Sequence, residues 1–133
     1  MNANAGSVLI GHAQRRLSEG LRDLLQASFE GVFMVADRPS LIEGASRLQP
    51  ALIVFDLSFA AGNLRALVAD LHRKSPASRT LLLSGHDDPT SDAAMLSAGA
   101  DGVVHHASLA TDIPNAVDAV LAGRRYPSPS DAN

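Results

Sequence analysis

Apolar residues are distributed along the chain in two alternating patterns. Short unbroken runs, Val8-Leu9-Ile10, Val32-Phe33-Met34-Val35, Ala51-Leu52-Ile53-Val54-Phe55, Leu81-Leu82-Leu83 and Val103-Val104, read as strands buried on both faces. Between them, apolar positions recur at helical spacing. One set is Leu17, Leu21, Leu24, Leu25 and Phe29; a second is Leu41, Ile42, Ala45 and Leu48. A third is Leu64, Leu67, Val68 and Leu71; the last is Ile113, Ala116, Val117, Val120 and Leu121. The stretch from Asp88 to Ala98 is Ala-rich and has the weakest apolar face of the helices. The second helix starts near Asp37 to Ser40 and stops at Pro50, Ser75-Pro76 closes the third, and Gly123 ends the last, with Arg124 and Arg125 beside its C-terminus. A βα alternation repeated about five times predicts a doubly wound parallel sheet with helices on both faces. Right-handed crossovers then lead to the flavodoxin-like strand order 2-1-3-4-5.

The 133 residues fit one domain. The expected organisation is a disordered N-terminus over residues 1–6, a domain over 7–124, and a tail or the start of a linker over 125–133. There are no cysteines, which excludes disulfides and thiolate metal sites. The net charge of −3 has no block of like sign, so binding to nucleic acid through a basic face is not expected. The first seven residues lack the basic and apolar parts of a signal peptide, and no apolar run has membrane-spanning length. A cytoplasmic protein with no membrane partner is the expectation.

Asp56 stands out. It closes the apolar third run, where a carboxylate inside the strand would be costly. At the strand's C-terminal end it projects instead into the crevice where open α/β sheets place their ligands.

Several segments in register resemble the response-regulator receiver domain of the CheY-like superfamily, especially the NarL/FixJ type. They are Glu19-Gly20-Leu21-Arg22-Asp23-Leu24-Leu25, Pro50 before the strand ending in Phe55-Asp56-Leu57, and Leu83-Ser84-Gly85-His86-Asp87-Asp88. The most specific is Ser97-Ala98-Gly99-Ala100-Asp101-Gly102. Ala122-Gly123-Arg124-Arg125-Tyr126 followed by Ser128-Pro129 resembles the end of NarL-type receivers. The resemblance implies an interaction module of two-component signalling, not an enzyme, acting on transcription through an output domain that these residues do not contain. It also implies a sensor histidine kinase as partner and a homodimer, with the surface of about Asp88 to Gly123 responding to signal.

In that family an Asp at the end of the third strand accepts phosphate, two acidic residues after the first strand hold Mg²⁺ with it, and a Ser/Thr and a Lys bind the phosphoryl oxygens. Such catalysis is positioning plus cations. Carried over, Asp56 is the candidate phosphoacceptor and Ser84 the candidate phosphate-binding hydroxyl. The acidic pair falls on His12 and Ala13, and the Lys falls on His106. The chain's single lysine, Lys74, lies at the end of the third helix. The usual Pro and Gly of the loop after the acceptor fall on Ala60 and Leu64, and Val103 stands at a common aromatic switch position. Mg²⁺ binding is therefore expected to be weak or absent, and no cofactor or metal ligand is assigned.

His12, His86 and His106 follow three different strands and could share the Asp56 rim. Imidazole plus carboxylate suits Zn²⁺ better than Mg²⁺, and a His12–Asp56 contact is a further option; solvated loop histidines are the plainer reading. Asp87-Asp88 read as helix caps and Arg15-Arg16 as a solvated helix start. The alternatives are an ordinary phosphorelay receiver phosphorylated on Asp56 and a flavodoxin-like small-ligand binder. Gly11-His12-Ala13-Gln14 is a poor phosphate loop for the latter.

Overall fold

The computed structural model describes residues 6–12, 14–85 and 89–127. Five parallel strands are ordered β2-β1-β3-β4-β5: β1 Ser7–Gly11, β2 Gly31–Val35, β3 Leu52–Asp56, β4 Arg79–Ser84 and β5 Gly102–His105. The intervening helices are α1 Arg15–Leu25, α2 Arg38–Leu48, α3 Leu64–Lys74 and α4 Pro89–Ser97, and α5 Leu109–Leu121 follows β5. The fold class and strand order are those read from the sequence.

The alternation of side chains along each strand divides the core in two. Val8, Ile10, Leu52, Val54, Leu81, Leu83 and Val104 face α1 and α5. Leu9, Ile53, Phe55, Leu82 and Val103 face the other layer, where they meet α2, α3 and Met95 of α4. Burying both faces explains why these strands read as continuous apolar runs.

Helix ends follow local chemistry. Asp37 caps α2 by accepting from the Ser40 N–H at 2.8 Å, and Asn63 caps α3 by accepting from the Ala66 N–H at 3.1 Å. Gln49 takes a left-handed conformation (φ 46°) ahead of Pro50, which ends α2. Asp101 ties β4 to β5, its Oδ2 accepting from the Thr80 N–H at 2.9 Å.

Some residues fall elsewhere than their pattern suggests. Leu24 and Leu48 are partly exposed, because each lies off its helix's buried stripe. Phe33 and Met34 are each 42% exposed, because β2 is an edge strand with a neighbour on one side only. Tyr126, expected in the tail, pairs with the sheet: the Val103 N–H donates to its carbonyl at 2.7 Å, and its own N–H donates to Asp101 O at 3.2 Å. Residues 1–5 and 128–133, Ala13, and the loop residues His86, Asp87 and Asp88 lie outside the described residues. No described helix is long and apolar enough to cross a membrane.

Two glycines test the packing in opposite directions. A Cβ on Gly102 would come within 2.8 Å of Leu81 and 2.9 Å of Val120, whereas one on Gly20, inside α1, would meet nothing within 4 Å. Gly102→Ala is expected to destabilise the protein by about 1–3 kcal/mol. Gly20→Ala is expected to stabilise it by roughly 0.5–1 kcal/mol. Urea unfolding of the two variants measures both.

Candidate functional site

All five strands end on one rim, at Gly11, Val35, Asp56, Ser84 and His105, and His12, Asp56 and His106 on that rim form the site. Asp56 is 8% exposed. Its carboxylate bends back over its own strand end to start a short 3₁₀ turn, Leu57–Ala60, with Oδ2 accepting from the Ser58 N–H at 2.9 Å. Beyond that turn Ala61 (φ 51°) and Gly62 (φ 84°) are left-handed and turn the chain into α3. Arg38 of α2 donates to Ala60 O at 3.0 Å and pins this loop from the side.

Two histidines meet the other carboxylate oxygen. His106, first residue of the turn after β5, places Nε2 2.7 Å from Asp56 Oδ1. His12, immediately after β1, places Nε2 3.4 Å from the same oxygen. The two rings lie 6.1 Å apart, centre to centre. Nδ1 of His12 accepts from the Gln14 N–H at 3.0 Å, so the neutral ring carries its proton on Nε2, aimed at Asp56. His12 is buried, while the His106 side chain is 40% exposed at the mouth.

The site is electrostatically self-sufficient. Burial pushes the Asp56 carboxyl up, but hydrogen bonds from the Ser58 hydroxyl and N–H, then from His106, and the proximity of His12 more than offset it, leaving Asp56 below the ordinary carboxylate value. Burial lowers the basicity of His12; Asp56 acts against this and His106 adds to it, so the ring titrates below the ordinary histidine value of 6.5.

The structure brings together three of the positions singled out from sequence: Asp56, His12 and His106. Ser84 is fully buried at the end of β4, one residue beyond the Leu83 that pairs with Asp56. Ala13 and His86 lie outside the described residues. Three features were missed. His105 places Nε2 2.9 Å from Asp92 Oδ1 and so ties the end of β5 to α4. A charged helix residue one element before a strand-end His was the available signal. Phe59 is buried and packs so close to β1 that a Cβ on Gly11 would lie 3.0 Å from its ring. The Arg38 contact had no sequence signal, since loop carbonyls accept from any nearby cation.

No protein-family model matches the chain, and no curated protein matches it. Solved structures do. A two-component response regulator of the LuxR family from Aurantimonas sp. SI85-9A1 is 24% identical, with a TM-score of 0.81 over 95% of this chain and 91% of that one. The isolated receiver domain of RcsB from Salmonella enterica serovar Typhimurium is 25% identical, with a TM-score of 0.74 over 90% of each chain. This chain has the fold of a response-regulator receiver domain. A longer RcsB from Salmonella typhimurium is 22% identical with a TM-score of 0.81, and the match spans 97% of this chain but 65% of that one.

Receivers of this fold use Mg²⁺ beside the acceptor. The donor set here does not fit it: two imidazoles flank Asp56, and Mg²⁺ takes hard oxygen ligands.

The lowered basicity of His12 fixes a sign. The folded protein holds the neutral ring more tightly than the unfolded chain does, so the unfolded state takes up the proton first as pH falls below 6.5. Stability contributed by neutral His12 is fully present above that value and is lost as pH falls through it toward the lowered folded value. Urea unfolding from pH 7 to pH 5 is expected to show a smaller acid loss in His12→Gln than in the unaltered protein.

Proposed function

We propose that this chain is the receiver module of a two-component signalling protein in which the acceptor carboxylate is contacted by two histidines in place of a magnesium ion and a lysine. One observation carries the reading: His106 and His12 converge on Oδ1 of Asp56, at 2.7 and 3.4 Å, from the positions where receivers keep a lysine and an acidic residue. With Oδ2 accepting from the Ser58 N–H, the carboxylate that would attack phosphorus is engaged on both oxygens. The fixed positive charges that would meet the incoming phosphoryl group are missing. Removing even one preorganised donor from a charge-developing site slows a reaction by on the order of 10²–10³. Asp56 is therefore a poor acceptor, and the module works through protein contacts rather than through chemistry of its own.

Its setting is a cytoplasmic signalling protein that forms a homodimer and meets a histidine kinase or a regulator in its place. An output domain acting on transcription would follow it in the chain, in keeping with the Salmonella RcsB that has been seen bound to a promoter. This domain itself does not contact nucleic acid.

Acetyl phosphate with Mg²⁺, followed by intact-mass measurement, tests the reading. Little or no phosphoryl adduct is expected on the unaltered protein. The combined replacement His12→Asp, Ala13→Asp, His106→Lys is expected to raise the adduct rate by at least about a hundredfold. Rapid stoichiometric labelling of unaltered Asp56 would instead make the chain an ordinary phosphorelay receiver.

A further inference from the structure

We propose that His12, Asp56 and His106 form a binding site for a borderline divalent transition metal, Zn²⁺ foremost, on the rim where the fold otherwise holds Mg²⁺. The site stands on its own geometry and does not depend on whether Asp56 is ever phosphorylated.

One ligand atom from each residue falls in a group whose members all lie within 4.8 Å of one another. Tetrahedral Zn²⁺ takes nitrogen and carboxylate oxygen at about 2.0–2.2 Å, which sets ligand atoms roughly 3.3–3.5 Å apart. His12 Nε2 already stands 3.4 Å from Asp56 Oδ1. His106 Nε2, at 2.7 Å, has to withdraw by about 0.6–0.8 Å to reach that spacing. Its side chain is 40% exposed and opens toward solvent, so it can move, and the same opening admits the ion. Two imidazoles and one carboxylate leave a fourth position for water, the pattern of an open rather than a closed zinc site. Imidazole nitrogen selects Zn²⁺, Co²⁺, Ni²⁺ or Cu²⁺ over Mg²⁺.

Binding asks one rearrangement of His12. The ring proton moves from Nε2 to Nδ1, so that Nε2 offers its lone pair and the hydrogen bond from Gln14 N–H is given up, and the His106 proton facing Asp56 Oδ1 likewise moves to that ring's Nδ1. Metal uptake thus carries a signature at residue 14, at the start of α1.

Untagged protein is titrated with Co²⁺, followed by Zn²⁺ displacement, with Mg²⁺ in parallel. Expected is a visible Co²⁺ absorption of four-coordinate strength, its loss on adding Zn²⁺, a rise in melting temperature with Zn²⁺, and a shifted Gln14 amide resonance. Mg²⁺ at equal concentration produces none of these. Because His106 lies at the mouth, His106→Gln is expected to fold and to weaken Co²⁺ binding at least about tenfold. His72→Ala, on α3, leaves binding unchanged. The site is overturned by a colourless titration with no melting shift, by undiminished affinity in His106→Gln, by equal binding of Mg²⁺, or by an unmoved Gln14 amide in the metal-bound protein. Acetyl phosphate labelling is read without transition metal, so its outcome and this one fail separately.

Discussion

A carboxylate sealed at the end of a fully buried strand must find donors, and this molecule is arranged around meeting that demand at Asp56. Leu52 to Phe55 are all inaccessible to solvent, and they deliver Asp56 to the rim with 8% of its surface exposed. An ionised group there is costly unless several partners share its charge. The Ser58 N–H takes one oxygen and two imidazoles approach the other. The 3₁₀ turn exists because Asp56 caps it, and Arg38 holds that turn from α2.

The same residues connect the rim to the rest of the fold. His105 and His106 are consecutive, yet each is committed to a different carboxylate. One binds Asp92 on α4 and the other binds Asp56 on β3. Any change that frees His106 from Asp56 therefore acts next to the contact that positions α4. That helix is held to the core by Met95, with Leu96 only partly buried, which makes it the least anchored of the helices. The link is short and made of two hydrogen bonds, so it needs no extended path of packed side chains.

Much of this was legible in the residues. The five apolar runs and the helical spacing between them defined the sheet, because burial on both faces leaves an unmistakable continuous pattern. Asp56 was also readable as a polar residue directly after such a run, and His12 and His106 each as a histidine one residue further on. What could not be read was how far the side chains reach. Sequence placed His12 and His106 on one rim but left open whether they touch Asp56, since the loop after β3 sets the carboxylate's direction. His105 escaped notice because its partner lies on an Ala-rich helix with little pattern to orient it. Leu24, Phe33, Met34 and Leu48 looked like core and are partly exposed, because apolar spacing alone does not report where a sheet runs out of neighbours. Tyr126 reads as tail in the sequence because a single bridge of two hydrogen bonds has no periodicity.

That bridge has a mechanical meaning. Strand β5 is only four residues long, roughly 13 Å from end to end. Its upper end runs into the imidazole that leans on Asp56, and its lower end is laced to the backbone of Tyr126. Tyr126 thus lies beside the foot of the very rod whose head runs into the residue touching Asp56. A tilt of that rod at the head is felt at Tyr126 without any helix having to relay it.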